Sequence, residues 1–220
     1  MDQPLNAPGP HIRPYQADDL AALYEICLRT GDAGGDATAL VDDRRLFGEL
    51  YAAPYAALEP QHALVLDDGT GRAVGYVLAA LDTDAFQARC EAEWWPALRA
   101  RHPLPGEATT LDDLLVQLIH QRPRRGSAVL RSHPSHLHID LLPEVQSAGW
   151  GRRLMAALFE RLRAGGSPGV HWGVSTRNHR AIGFYRHLGA DELEADAIAI
   201  TFGVRLGPSG GGAAAIGSHP

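Results

Sequence analysis

The residues best suited to bind a charged ligand lie in the segment 141–154, where a predicted strand is followed by a helix. Gly149 and Gly151 bracket one residue, and neither has a Cβ that would hold a ligand away from the backbone. The first turn of a helix has N–H groups without intrahelical acceptors and lies at the positive end of the helix dipole. Arg152 and Arg153 add two permanent positive charges. The segment therefore predicts a phosphate-binding site.

The same residues exclude two common phosphate-binding loops. A Rossmann dinucleotide loop requires a third glycine three residues after Gly151, and that position is Leu154. A P-loop requires a lysine, and all 20 basic residues of the chain are arginines. The pattern Gln-x-x-Gly-x-Gly that begins at Gln146 instead resembles the acetyl-CoA pyrophosphate loop of the GNAT (GCN5-related) N-acetyltransferases.

A second segment resembles the same family. It begins at Asn178, which is placed to cap a helix, carries Ala181 and Tyr185 in an Ala-x-x-x-Tyr pattern, and ends in Leu-Gly. The resemblance covers most of residues 11–206.

Three features narrow the resemblance to one branch of the family. They are the stretch His-Leu-His-Ile-Asp-Leu-Leu-Pro, the Trp94-Trp95 pair and the glycine loop. Together they are most similar to the acetyltransferase-like C-terminal domain of O-GlcNAcases and to its free-standing bacterial relatives.

The resemblance implies that acetyl-CoA is a cosubstrate and that its acetyl group passes directly to an amine in a ternary complex. Backbone N–H groups of the strand end and the glycine loop would hold pantetheine and pyrophosphate, and an exposed N–H of the strand would stabilise the oxyanion. The residues that the resemblance assigns to cofactor binding are Leu141, Leu142, Val145, Gln146, Gly149, Trp150, Gly151, Arg152, Arg153, Asn178, Ala181 and Tyr185.

Tyr185 also matches the family tyrosine that protonates the departing CoA thiolate. A phenol with a pKa of about 10 is a suitable proton donor to a thiolate whose pKa is about 8–9. Tyr185 follows Ala181 by four residues, so its side chain is expected on the helix face that packs on the sheet. A packing role for Tyr185 therefore stays open.

Polar residues alternate with apolar residues along the predicted strand 136–142. Alternation places His136, His138 and Asp140 on one face, and three polar residues on one face would be costly inside a core, so we expect them to line a cleft. In the GNAT family an acid on this strand can be the general base, which makes Asp140 the candidate and His138 its substitute. A hydrogen-bonded polar patch is the open alternative.

The same His-x-His-x-Asp pattern also suggests a metal site. Alternate side chains stand about 7 Å apart along a strand, so three of them converge poorly on one ion. We therefore expect no metal. A metal hydrolase built on these three residues is the weakest alternative, after a non-catalytic acyl-CoA-binding domain.

These residues need a framework of strands and helices, and the hydrophobic pattern predicts a mixed α/β sheet. The resemblance implies the GNAT fold, a mixed, mostly antiparallel twisted sheet flanked by helices. We expect a helical insert at 83–132 between the third and fourth strands. The predicted strands are 11–14, 62–66, 73–81, 136–142, 170–174 and 198–206, and the main predicted helices are 18–28, 38–51, 149–162 and 178–188.

Composition bounds the remaining possibilities. The chain has 220 residues, a net charge of −6 and a pI near 6.0, which argues against nucleic acid as a partner.

We expect one domain at 11–206 between tails at 1–10 and 207–220. No apolar run is long enough for a membrane span, no signal peptide is recognised, and two isolated cysteines suit a cytoplasmic location. The expected acceptor is a small-molecule or protein amine, and the expected assembly is a monomer or homodimer.

Overall fold

Seven strands form one sheet in the computed structural model, which describes residues 9–121 and 127–207. The strands are β1 (His11–Pro14), β2 (Ala63–Asp67), β3 (Ala73–Ala80), β4 (Ser135–Leu141), β5 (Gly169–Ser175), β6 (Asp191–Ala195) and β7 (Ala199–Arg205). Their order across the sheet is β1-β2-β3-β4-β5-β7-β6, and of the paired neighbours only β4 and β5 run parallel. The predicted mixed, mostly antiparallel sheet is confirmed.

Helices cover both faces of this sheet. They are α1 (Leu20–Arg29), α2 (Leu46–Tyr51), α3 (Ala53–Leu58), α4 (Thr83–Arg89), α5 (Trp95–Arg101), α6 (Leu111–His120), α7 (Ser127–Ser132), α8 (Trp150–Ala164) and α9 (His179–His187). Among the described helices, none combines the length and the apolar character that crossing a bilayer requires.

The even-numbered residues of β4 project toward the N-terminal helices. Tyr51 of α2 stacks on His138 with ring centroids 5.8 Å apart, and Tyr55 of α3 packs edge-on against His136 at 5.4 Å. His171 of β5 is the register partner of His136, so it projects to the same face.

Helices α8 and α9 lie on the opposite face. Trp172 follows His171 in β5 and therefore projects away from the N-terminal helices. Its ring packs against Phe159 of α8 at 6.3 Å and Tyr185 of α9 at 5.2 Å. The sheet thus separates Tyr185 from the polar side chains of β4.

The predicted helix over 38–51 is wrong in its first part, because regular helix begins only at Leu46. Side-chain carboxylates accept the backbone N–H groups that a helix would use internally. Asp36 accepts the N–H of Thr38 at 2.8 Å, and Asp112 from the distant α6 accepts the N–H of Asp43 at 2.9 Å. A further helix, α3, then follows α2, where the sequence had predicted that the helical region ends.

Strand β6 was not predicted from the sequence. Its residues Asp-Glu-Leu-Glu-Ala are mostly exposed and poor in the β-branched and aromatic residues that favour strands. The segment becomes a strand because its backbone pairs with β7 at the edge of the sheet.

The predicted helical region between β3 and β4 contains α4–α7. A π-helical turn, Cys90–Trp94, joins α4 directly to α5, which has Pro96 in its first turn. Thr110 caps α6 and forms a capping box with Asp113. The domain boundaries stay a prediction, because most of the expected tails at 1–10 and 207–220 lies outside the described residues.

Candidate active site

The two parallel strands at the centre of the sheet separate along their length. Strands β4 and β5 pair only at Ser135 with Val170 and at His136 with His171. Beyond these pairs the strands diverge, and a cavity of about 620 Å³ occupies the opening. Residues of both strands, of α9 and of the loop after α1 line this cavity.

The backbone of β4 presents N–H groups to the opening. The N–H of Leu142, just after the strand, donates to the Val74 carbonyl on the neighbouring β3 at 3.0 Å. Because N–H directions alternate along a strand, those of Ile139 and Leu141 point the other way, toward β5. The opening is therefore lined by backbone donors that the β4–β5 ladder does not use.

The glycine loop turns sharply into α8. Gly149 has a φ of 77°, a left-handed conformation that favours glycine, and it is the N-cap residue of the helix. A Cβ on Gly151 would lie 3.1 Å from the Phe184 ring, so a larger residue at this position would require that ring to shift. Arg153 donates the first backbone bond of the helix, to the Gly149 carbonyl at 3.2 Å. The earlier N–H groups at Trp150 and Gly151 therefore point out of the helix end.

Side chains of the loop and of α9 hold this turn against β4. Gln146 Nε2 donates to the Leu141 carbonyl at 2.7 Å. Arg180 donates to the Gln146 side-chain oxygen and, at 2.9 Å, to Ser147 Oγ. Arg180 lines the cavity but was not among the residues predicted from the sequence, because an arginine on an exposed helix face has no distinctive pattern.

The structure brings most of the predicted cofactor residues to the cavity. Those that line it are Leu141, Gln146, Gly149, Gly151, Arg152, Asn178, Ala181 and Tyr185. Leu142 is 1% exposed and belongs to the core, and Val145 donates its N–H to the Leu142 carbonyl at 3.1 Å. Trp150 and Arg153 stack on each other, with the guanidinium carbon 4.6 Å from the ring centroid. Contact of Leu142, Val145, Trp150 and Arg153 with acetyl-CoA stays a prediction.

Tyr185 reaches the cavity from α9. Asn178 caps this helix as predicted, since its Oδ1 accepts the N–H of Ala181 at 3.0 Å. The Tyr185 ring packs against Trp172 and Phe202, and within the described residues its hydroxyl has no hydrogen-bond partner. Burial raises the pKa of Tyr185, and the nearby Asp140 raises it further, so the phenol holds its proton.

Asp140 and His138 enter the cavity from the opposite face of the sheet. The Tyr76 hydroxyl donates to Asp140 Oδ2 at 2.6 Å, and His138 Nε2 lies 3.6 Å from the same oxygen. Burial raises the pKa of the Asp140 carboxyl above 3.8, and the neighbouring His138 and Tyr76 oppose this shift only in part. Tyr76 was not identified from the sequence, since the β3–β4 register is a non-local property.

Only two of the three polar residues on the β4 face line the cavity. His136 instead lies 2.8 Å from Thr83 Oγ1 and contacts the rings of Tyr55 and Phe86. The expectation that alternate side chains stay about 7 Å apart is wrong for His138 and Asp140, because their side chains lean together. With Cys27 of α1 they place a thiol, an imidazole and a carboxylate within 4.8 Å of one another.

The profile of the Acetyltransferase (GNAT) family matches residues 35–190, which include the sheet opening, the glycine loop and α9. The chain belongs to the GNAT acetyltransferase family. The glycine loop and the Asn-to-Tyr segment identified from the sequence both lie within the matched residues.

Known GNAT structures and related sequences support the narrower resemblance. The crystal structure of SsHAT superimposes with a TM-score of 0.86 at 39% identity, covering 91% of this chain and 100% of SsHAT. Protein O-GlcNAcase from Rattus norvegicus and from Mus musculus are each 26% identical over 185 residues, or 83% of this chain. The chain spans 20% of the length of these curated relatives.

A more distant structure shows the same GNAT fold. The structure of yncA from Salmonella typhimurium with its cofactor acetyl-CoA superimposes with a TM-score of 0.56 at 16% identity, covering 94% of this chain and 99% of that one.

Proposed function

We propose that the protein is an acetyl-CoA-dependent N-acetyltransferase that transfers the acetyl group directly to an amine. The opening between β4 and β5 supports this function most strongly. It presents an unpartnered tyrosine hydroxyl on one face of the sheet and a carboxylate of raised pKa on the other, with backbone donors between them. Direct transfer needs these three features and no nucleophilic side chain.

The residues of the opening fit acetyl-CoA as a cosubstrate. The N-terminus of α8, with Gly149 and Gly151, would hold the pyrophosphate, and Arg152 and Arg180 would contribute positive charge. The backbone of β4 at Ile139 and Leu141 would hold the pantetheine arm and donate to the developing oxyanion. Acetyl-CoA supplies a carbonyl carbon that is activated by its thioester.

Asp140 would accept the proton of the amine as its nitrogen forms a bond to the carbonyl carbon. Its raised pKa makes it a stronger base than an ordinary carboxylate. His138, whose side chain is 29% exposed at the same end of the cavity, is the alternative base. When the carbon–sulfur bond breaks, Tyr185 would give its proton to the leaving thiolate.

The acceptor is a small-molecule or protein amine in this proposal, which also includes a cytoplasmic location and a monomer or homodimer. The net charge of −6 and the carboxylate at the acceptor end favour a cationic amine over an anionic one.

The test combines a binding measurement with a turnover measurement. Acetyl-CoA at 100 times its Kd should stabilise the native state by about 2.7 kcal/mol, seen as a rise in Tm. A panel of amines should then include at least one that releases CoA thiol.

The outcomes separate the candidate functions. No stabilisation at millimolar acetyl-CoA would reject every CoA-dependent function. Stabilisation without thiol release for any amine would favour the non-catalytic acyl-CoA-binding domain. Turnover that a chelator abolishes would instead favour metal-dependent chemistry at Cys27, His138 and Asp140.

A further inference from the structure

Tyr76 is a buried tyrosine whose hydroxyl meets the polar side chains of the candidate active site. It is 0% exposed, and the β3–β4 register places it directly opposite Asp140. Its hydroxyl lies 2.6 Å from Asp140 Oδ2 and 3.2 Å from His138 Nδ1. The nearby Cys27 thiol is one of the groups that raise the pKa of Tyr76, after burial and Asp140.

The hydroxyl of Tyr76 is an unusual group to bury in the middle of a sheet. Burying a hydroxyl costs free energy unless it forms a hydrogen bond, and a phenylalanine would fill nearly the same volume without that cost. The hydrogen bond to Asp140 compensates for burial of the Tyr76 hydroxyl. It also fixes the orientation of the carboxylate.

The direction of the shorter hydrogen bond follows from the chemistry of the groups. An ionised carboxylate only accepts, so the single Tyr76 proton is donated to Asp140, and the phenol oxygen lies 3.2 Å from His138 Nδ1. Tyr76 and His138 both approach Oδ2 of the carboxylate. Tyr76 therefore holds the carboxylate by Oδ2, Thr30 adds a side-chain hydrogen bond to Asp140, and Asp140 lines the cavity.

We propose that Tyr76 is a positioning residue for the Asp140 general base, holding the carboxylate by Oδ2 in the orientation that receives the proton of the acceptor amine. This inference rests on the proposed function, in which Asp140 is the base. Tyr76 itself touches neither substrate and transfers no proton.

The same hydrogen bond favours the ionised form of Asp140. The groups that face Asp140 on its side of the sheet are Tyr76 on β3, His138 on β4, Cys27 on α1 and Thr30 after α1, and Tyr185 on α9 lies across the sheet opening. Burial raises the pKa of Asp140, and the Tyr76 hydroxyl lowers it by stabilising the charged form. Loss of the hydroxyl therefore raises this pKa further.

The test is the pH dependence of kcat/KM in Tyr76→Phe, with Tyr55→Phe as a control. The Tyr55 ring stacks on Phe86 with centroids 4.7 Å apart, and Tyr55 does not line the cavity, so this variant loses a hydroxyl on the same face of the sheet. In Tyr76→Phe the acidic limb should move up by about one pH unit, with about tenfold lower kcat/KM on that limb. The affinity for acetyl-CoA should not change.

Asp140→Asn separates failure of this inference from failure of the proposed function. If Asp140 is the base, Asp140→Asn removes the acidic limb, and adding Tyr76→Phe to it has no further effect on the pH profile. An acidic limb that is unmoved in Tyr76→Phe but absent in Asp140→Asn would overturn the positioning role of Tyr76 and leave Asp140 as the base. An unchanged limb in Asp140→Asn would overturn the base assignment itself.

A measurement on the unmodified tyrosine keeps the inference testable if Tyr76→Phe does not fold. A hydroxyl that donates to a buried carboxylate should give a slowly exchanging, downfield NMR resonance. This resonance should shift upfield in Asp140→Asn, where the acceptor is neutral. A Tyr76 hydroxyl resonance that is the same in both proteins would overturn the proposed contact.

Discussion

Tyr185 and Asp140 approach the sheet opening from opposite faces, and the pKa of each is above its ordinary value because burial disfavours the charged form. The same physical cause has opposite chemical uses. A phenol of raised pKa stays protonated and can act only as an acid, whereas a carboxyl of raised pKa is a stronger base once ionised.

Tyr185→Phe should lower kcat by about 100-fold or more, because the variant has no proton for the leaving thiolate. The ring still packs against Trp172 and Phe202, so the Tm and the Kd for acetyl-CoA should be unchanged. The control is Tyr24→Phe, which removes a hydroxyl outside the cavity and should turn over normally. Unchanged kcat in Tyr185→Phe would leave this residue only its packing role.

Asp140→Asn should make the protein more stable at pH 8 while lowering its activity. A carboxyl whose pKa is raised on folding favours the native state below its unfolded pKa and loses that contribution as pH rises through the folded value. The amide avoids the cost of an ionised, buried group, so its advantage in urea unfolding should disappear toward pH 4.

The control for this effect is Asp68→Asn, for which the opposite sign is expected. Hydrogen bonds from Thr70 lower the pKa of Asp68, so its contribution to stability is present above the unfolded pKa and is lost as pH falls. Asp68→Asn should therefore be less stable than the wild type at pH 8. If Asp140→Asn and Asp68→Asn changed the stability at pH 8 in the same direction, this account would be contradicted.

At the scale of secondary structure, the glycine loop requires backbone freedom at one position and space at another. Gly149→Ala places a side chain on a φ of 77° and should cost about 1–2 kcal/mol of unfolding free energy. Gly183 lies within α9, where an added Cβ would have no atom within 4 Å. Gly183→Ala should therefore raise the unfolding free energy by about 0.5–1 kcal/mol. Urea unfolding measures the change in unfolding free energy of each variant. Equal changes in Gly149→Ala and Gly183→Ala would contradict a left-handed conformation at Gly149.

The elements that could be predicted from the sequence are those specified locally. The glycine loop, the Asn178 cap and the Thr110 capping box each depend on residues within four positions of one another, and all three are present. The irregular segment before α2 depends on Asp112, which is distant in the sequence, and β6 depends on β7. The pairing of Tyr76 with Asp140 depends on strand register, which no local pattern specifies.

At the scale of the whole molecule, a buried carboxylate joins the helical insert to the helices that line the cavity. Glu49 of α2 is 1% exposed, accepts from Arg101 of α5 at 2.8 Å, and has its backbone carbonyl bonded to Trp94 at 3.0 Å. The insert thus packs directly on α2, which also carries Tyr51 of the cavity wall.

Glu49→Gln should lower the unfolding free energy by about 1–3 kcal/mol, because a charged hydrogen bond in the interior is weakened. The matched control is Glu144→Gln. The Glu144 side chain is 44% exposed and 3.6 Å from Arg72, so its replacement should change stability by less than about 0.5 kcal/mol. A Glu49→Gln variant as stable as this control would show that the charge of Glu49 contributes nothing measurable to holding the insert.

Placement of Tyr185 and Asp140 on opposite faces has a kinetic consequence. If the nucleotide and the amine reach the gap between β4 and β5 from separate sides, neither has to leave before the other can enter or depart. Inhibition by the free CoA product should then be competitive toward acetyl-CoA and non-competitive toward the amine, and initial-rate plots should intersect rather than run parallel.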